Sequence, residues 1–223
     1  MYNERSFKKK VTDLGINPLV LDKYKNRINS KFTNHMTPYI PERSETNIAI
    51  MDVFSRMMMD RVIFLGDHID DYVSNVVTAQ LLYLSAENSE EDIKLYINSP
   101  GGSVYDGNSI LDVMDFVDCD VSTVCTGMAA SMGAMILSNG AKGKRHCLKR
   151  SRVMIHQPLG GVSGQATDII NEAKQIEIVK NELIQTLAEN CGQDFNKVYQ
   201  DCERDYWMRS QEALDYGIVD KII

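Results

Sequence analysis

Two stretches of this chain have the composition of a turn that presents a reactive group. Ser99-Pro-Gly-Gly-Ser103 and Gly127-Met-Ala-Ala-Ser-Met-Gly133 each follow an apolar, strand-like run and precede a helical one. Strand, tight turn and helix is how hydrolases expose a serine. The side chain stands out from a strained turn, and the following backbone N–H groups face the charge that develops on an attacked carbonyl. Ser131 sits in the second turn, which follows the logic of a G-x-S-x-G elbow with Ala129 in place of its first glycine. A serine among alanine and glycine can equally cap a helix or let two segments pack closely, so the turn alone does not decide.

A serine nucleophile needs a base, and the chain has four histidines. His35 lies in a poorly patterned arm, and His68 stands beside Asp67 in a loop. His146 lies in the basic run Lys142–Arg152, read as a loop, whose six cations in eleven residues disfavour an imidazolium. His156 ends a β-rich run just before Gln157-Pro158, where an ordered ring can point into a cleft. The third group would be an acid that holds the base in the correct tautomer. Elimination cannot choose it among 31 acids, although Asp201, Glu203 and Asp205 cluster before Tyr206-Trp207-Met208. Paired Cys/His spacings, H-E-x-x-H, G-x-x-x-x-G-K-[ST] and G-x-G-x-x-G are all missing, so no metal and no cofactor is expected in this chain.

The positioning elements follow from periodicity. Residues 48–59, with Ile48, Met51, Val53, Phe54 and Met57-Met-Met59, predict a helix, and the folded body is expected to begin near Ile48. Arg61–Gly66 reads as a short buried strand, Asp70–Ala86 as a helix, and Ile93–Ile97 as a strand broken by Ser99-Pro-Gly-Gly102. Ser103 with Asp106 predicts a helix cap, and that helix runs to about Val117. A strand over Val121–Cys125, a turn, and a helix to about Leu137 come next. Arg152–His156 reads as a strand, and Thr167–Glu189 is the longest helical period, stopped at Gly192. Strands alternating with helices predict an α/β fold with parallel pairing.

Composition bounds the rest. With 223 residues, 43% apolar and 25% charged, the chain is neither wholly disordered, nor collagen-like, nor a disulfide-stapled miniprotein. A net charge of −7 argues against nucleic acid as the main ligand. Residues 1–31 hold eight lysines and arginines against three acids, a net +5 that leaves −12 for the remainder. Five cysteines without a CxxC spacing suit reduced thiols in a cytosol-like compartment. No apolar segment follows the early basic residues, so no secretory signal is expected, and early acids argue against a mitochondrial presequence. Val121–Ala141 holds 21 uncharged residues, but its many small and polar groups predict a buried strand, turn and helix instead of a membrane span.

Five strings occur in order: Tyr96-Ile-Asn-Ser-Pro-Gly-Gly102, Gly127-Met-Ala-Ala-Ser-Met-Gly-Ala134, Ser151-Arg-Val-Met-Ile-His-Gln-Pro-Leu-Gly-Gly161, Gly164-Gln-Ala-Thr-Asp168 and Glu203-Arg-Asp205. Together they resemble the Clp protease proteolytic subunit (ClpP) family over about residues 37–223. Phe64-Leu-Gly66 and Ala213-Leu-Asp-Tyr-Gly-Ile-Val-Asp220 also look like that family. The resemblance implies an α/β fold of the crotonase-like ClpP kind, a spiral of repeated strand–helix units with a protruding handle helix at 167–189. It implies a single peptidase domain at 37–223 after an extension at 1–36, read as a propeptide.

By the same resemblance, Ser131 is the nucleophile of a serine endopeptidase, His156 its base and Asp205 its orienting acid. The N–H groups of Gly102 and Met132 match the oxyanion hole, and Gly102, Ser103, Val104, Leu159 and Gly160 the edges that bind substrate backbone as an added strand. Tyr96, Phe116, Leu148 and Ile223 match the surface where an ATP-using AAA+ unfoldase (ClpX-, ClpA- or ClpC-like) docks. Lys94 and His146 stand where that surface commonly has aromatics. The family assembles as two stacked seven-membered rings around a chamber, takes unfolded proteins and peptides, and works in the cytoplasm. Neither nucleic acid nor membrane is an expected partner. Two alternatives on the same fold are an acyl-CoA enzyme of the crotonase type, without a Ser–His pair, and a non-catalytic ring member.

Overall fold

The computed structural model describes residues 39–43 and 48–223. The extension at 1–36 and His35 lie outside the described residues. A short hairpin, β1 (Tyr39–Arg43) with β2 (Ile48–Asp52), pairs antiparallel with Tyr39 opposite Asp52 and Arg43 opposite Ile48. The helix expected over 48–59 is therefore only α1 (Val53–Met59). Isoleucines at alternating positions 48 and 50 favour a strand once Tyr39–Arg43 supplies a partner. The hairpin falls in one compact unit that ends at Val53, and residues 54–223 form another.

In the larger unit strands and helices alternate as the sequence predicts. After α1 come β3 (Val62–Leu65), α2 (Asp71–Glu87), β4 (Ile93–Ser99), α3 (Val104–Phe116), β5 (Val121–Ala130) and α4 (Met132–Ser138). Then follow β6 (Arg145–Cys147), β7 (Arg152–Ile155), α5 (Ala166–Cys191), α6 (Phe195–Asp201), β8 (Tyr206–Arg209), α7 (Ser210–Tyr216) and β9 (Lys221–Ile222). The sheet runs β3-β4-β5-β6-β9, all parallel, while β7 pairs parallel with β5 and antiparallel with β8. The α/β fold with parallel pairing matches the expectation.

β5 has two sets of neighbours. Thr123–Cys125 pair with Arg145–Cys147, and Met128–Ala130 pair with Arg152–Met154. The 21-residue uncharged stretch is thus a strand, a turn at Ser131, and a helix with every residue buried. Ile63, Leu65, Ile93, Leu95 and Ile97 fill the core beneath α2 and α3, alternating with exposed positions as a half-covered sheet requires. Asp70 caps α2 by accepting from the Val73 N–H at 2.9 Å, and Ser103 caps α3 from Asp106. Among the described residues no helix is long and apolar enough to cross a membrane. All five cysteines are thiols, four of them buried.

Two buried arginines lock the frame. Arg61 donates to the carbonyls of Leu84, Asn88 and Glu91 at 2.8 to 2.9 Å and so closes the end of α2. Arg145, 3% exposed, grips Asp220 through Nε and Nη2 at 2.9 and 2.6 Å and donates through Nη1 to Ser138 and Asn190 carbonyls. The run 142–152, read as a basic loop, therefore contains a strand. Its arginine is buried because the countercharge arrives from 75 residues away, which no local pattern reveals.

Candidate active site

Ser131 joins β5 to α4 with φ 55° and ψ −125°, a left-handed conformation that non-glycine residues rarely adopt. Its N–H is held by the Met154 carbonyl at 2.9 Å, so β7 fixes the turn from one side. The Ser-Pro-Gly-Gly turn packs against it from the other. A Cβ on Gly101 (φ +87°) would lie 2.6 Å from the Ala130 oxygen and from the Ser131 Cβ, and one on Gly102 only 2.1 Å from the Ile69 oxygen. Both positions need glycine because backbone meets backbone there.

β7 also sets the other two groups. Met154 lies opposite Ala130 of β5, and Ile155 lies opposite Tyr206 of β8. Ser131, His156 and Asp205 each sit one residue beyond those paired ends, so one strand brings together side chains remote in sequence. His156 Nε2 is 2.9 Å from Ser131 Oγ, and His156 Nδ1 is 2.9 Å from Asp205 Oδ1. With Asp205 accepting from Nδ1–H, the Nε2 lone pair faces the serine hydroxyl. The two neighbouring acids have other partners. Asp201 accepts from Tyr216 Oη and Lys197, and Glu203 pairs with Lys180. His68 is an exposed loop residue, and His146 lies half-buried on β6.

The N–H groups of Gly102 and Met132 have no backbone acceptor among the described residues. Met132 opens α4, where the leading N–H groups lack intrahelical partners. Of the remaining backbone-binding residues, the Ser103 N–H is taken by the Ile69 carbonyl, and Val104 opens α3. Leu159 and Gly160 are exposed, with no backbone hydrogen bond among the described residues. An apolar pocket adjoins Ser131 and His156, lined by Val104, Met132, Met135, Ile155, Leu183 and Leu187. Sequence reading names Val104 and Met132 for their backbone groups alone, and places Ile155, Leu183 and Leu187 only in a strand and a helical period. The only signal was the shared apolar stripe of α5, which serves both the core and this pocket.

Tyr96, Phe116, Leu148 and Ile223 all reach the surface, Phe116 most of all at 76% exposed. Phe64, not singled out with them, stacks on Tyr96 with ring centroids 6.0 Å apart and lies opposite it in the register of β3 and β4.

Asp205 is 61% exposed, so its position depends on the backbone that carries it. The Gln157 N–H donates to the Cys202 carbonyl at 2.7 Å, and its side chain to the Glu203 carbonyl at 3.1 Å. Lys180, on α5, reaches Glu203 Oε1 at 2.9 Å and lies 4.0 Å over the Tyr199 ring. Replacing Lys180 by methionine frees this loop. We expect a roughly tenfold lower kcat, as a misplaced catalytic group costs, with KM nearly unchanged and most of the loss restored by Lys180→Arg. Steady-state kinetics on a fluorogenic peptide checks this.

A serine polarised by an imidazole, itself oriented by a carboxylate, beside unpaired N–H groups and an apolar pocket, defines a serine hydrolase on an α/β frame. Residues 42–223 match the Clp protease family. The chain is 52% identical to the ATP-dependent Clp protease proteolytic subunit of Bacteroides fragilis over 210 residues, 94% of each chain. It is equally 52% identical to the subunit of the same name from Porphyromonas gingivalis, over 97% of this chain and 96% of that one, and from Bacteroides thetaiotaomicron, over 94% of each. The chain belongs to the Clp protease family and is a serine endopeptidase of the Clp type.

Proposed function

We propose that this chain is the proteolytic subunit of an ATP-dependent protease, with Ser131 as nucleophile, His156 as general base and Asp205 as orienting acid. The observation that carries the reading is the pair of 2.9 Å contacts that His156 makes, one with each partner. Ser131 Oγ attacks the peptide carbonyl as its proton passes to His156 Nε2. The oxyanion is received by the N–H groups of Gly102 and Met132. His156 then returns the proton to the leaving amine, which breaks the C–N bond and leaves an ester on Ser131. Water activated by the same imidazole releases the acyl product.

The substrate lies extended between Gly102–Val104 and Leu159–Gly160, its backbone open to pairing as an added strand. The pocket beside Ser131 takes an apolar side chain from the residue before the cleaved bond, since a charged one would be desolvated without a partner. The subunits assemble as two heptameric rings through α5, half of which projects exposed from the body. An AAA+ unfoldase of the ClpX, ClpA or ClpC kind docks at Tyr96, Phe116, Leu148 and Ile223, spends the ATP and feeds in unfolded protein in the cytoplasm. This chain itself uses no cofactor. Labelling with a fluorophosphonate probe, followed by native mass of the labelled particle, tests the reading. The expected result is one label on Ser131 in every subunit of a 14-subunit particle, and an unlabelled Ser131 in a folded particle would refute it.

Residues 1–36, of which the first 31 carry a net +5, are removed by self-cleavage during maturation. Intact mass of the purified active enzyme should lack Met1, and of Ser131→Ala should retain it.

A further inference from the structure

A shallow groove near the chain's end collects positive charge in a protein that is otherwise acidic. Lys149, Arg150, Arg152 and Arg209 line it, together with Gln211 and Ile222. All four cations are exposed, and among the described residues none pairs with a carboxylate. Elsewhere in the body Lys144, Arg145, Lys180 and Lys197 each hold an acid. Glu212, next to the groove, accepts with its carboxylate from the Arg209 backbone N–H at 2.6 Å and forms no ion pair with a guanidinium among the described residues.

The groove is also built. The buried Ser210 Oγ lies 2.8 and 2.9 Å from the Leu148 and Lys149 carbonyls, which fastens the turn carrying two of the cations to the start of α7. The same turn begins with Leu148, 38% exposed, and the strand that carries Ile222 ends beside Ile223, 47% exposed. The Ile223 N–H bonds to the Cys147 carbonyl, which sets these two apolar side chains on adjoining segments. An apolar step and an unpaired cationic groove are therefore continuous.

We propose that this groove receives an acidic peptide segment of the partner that docks here, its apolar anchor on Leu148 and Ile223 and its carboxylates on Arg150, Arg152 and Arg209. The inference rests on the docking role proposed above for Leu148 and Ile223 and names the chemistry of what docks. Charge complementarity argues for this occupant: an acidic segment finds cations that hold no carboxylate among the described residues, Arg152 being engaged only by the Arg150 and Ser151 carbonyls, whereas the chain outside residues 1–31 carries −12 and repels acidic surfaces elsewhere.

The test uses the full-length protein with Ser131→Ala, to prevent cleavage, and three fluorescein-labelled peptides. They share one apolar tripeptide core and differ in flanks of glutamate, serine or lysine. Fluorescence anisotropy should show the glutamate-flanked peptide binding roughly tenfold more tightly than the serine-flanked one at about 50 mM salt, and within about twofold at about 500 mM. Arg150→Glu with Arg209→Glu should abolish or invert that preference, and Arg150→Gln with Arg209→Gln should erase it. In the Ser131-intact background both pairs should leave small-peptide hydrolysis within about twofold, given how little exposed charges contribute to stability. Equal binding of acidic and neutral peptides would overturn the inference and leave the docking reading standing. Failure of every peptide to bind would overturn both. Displacement of the acidic peptide by inorganic polyphosphate without any contribution from the apolar core would make the groove a general polyanion site. A change in native mass on charge reversal would assign it to a contact between copies of this chain.

Discussion

Replacing Ser131 by alanine lowers turnover of a fluorogenic peptide by roughly 10³–10⁶-fold and abolishes fluorophosphonate labelling, because no other group in the site can form the acyl bond. The oxyanion donors and the pocket survive the change, so peptide binding should persist. Ser131 makes no side-chain cap to α4, and alanine keeps the same Cβ at φ 55°. The melting temperature should therefore stay within a few degrees, which separates a catalytic loss from a folding one. Wild-type rates in the alanine variant would remove Ser131 from the mechanism.

The largest effect on stability is expected from Arg145→Met. The guanidinium is 4% exposed at its side chain and holds Asp220 together with two carbonyls. Removing one partner of such a pair leaves a desolvated carboxylate, at a cost of about 3 kcal/mol. That estimate is the lower end of the range for buried pairs, because Asp220 keeps 22% of its side-chain surface. Burial alone would push the Asp220 carboxyl up, but the Arg145 guanidinium, with the Arg145 and Gly143 N–H groups, holds it below its ordinary value. A carboxyl depressed by folding stabilises above its unfolded pKa and loses that contribution as pH falls through its folded pKa. The gap in urea midpoint between wild type and variant should thus be full at pH 7 and shrink below about pH 4. A gap of constant size would assign the stabilisation to the carbonyl contacts alone.

The sequence carried the alternating strands and helices because their apolar spacing is local, and it carried the caps at Asp70 and Ser103 for the same reason. It could not choose among Asp201, Glu203 and Asp205, since three acids within five residues are alike in one dimension. The fold separates them by partner: Tyr216 and Lys197 for the first, Lys180 for the second, His156 for the third. The resemblance named the third without supplying the reason. The strand at Arg145–Cys147 was hidden because charge normally marks a surface, and only Asp220, remote in sequence, reverses that rule. The hairpin strand at Ile48–Asp52 was hidden by a run of methionines that extends a helical period backwards. The pocket residues were invisible as such, because a side chain facing a cleft and one facing the core look identical in a hydrophobic pattern.

β5 is paired along both edges, and its last residues hand directly to Ser131, whereas Asp205 rides on a short exposed connection ahead of a strand with a single neighbour. The Ser131 amide proton, held by the Met154 carbonyl, should therefore exchange with solvent only when the sheet opens, while those at 203–205 exchange through a smaller fluctuation. Mild stress would silence such an enzyme reversibly, by letting the carboxylate drift away while the nucleophile stays in place.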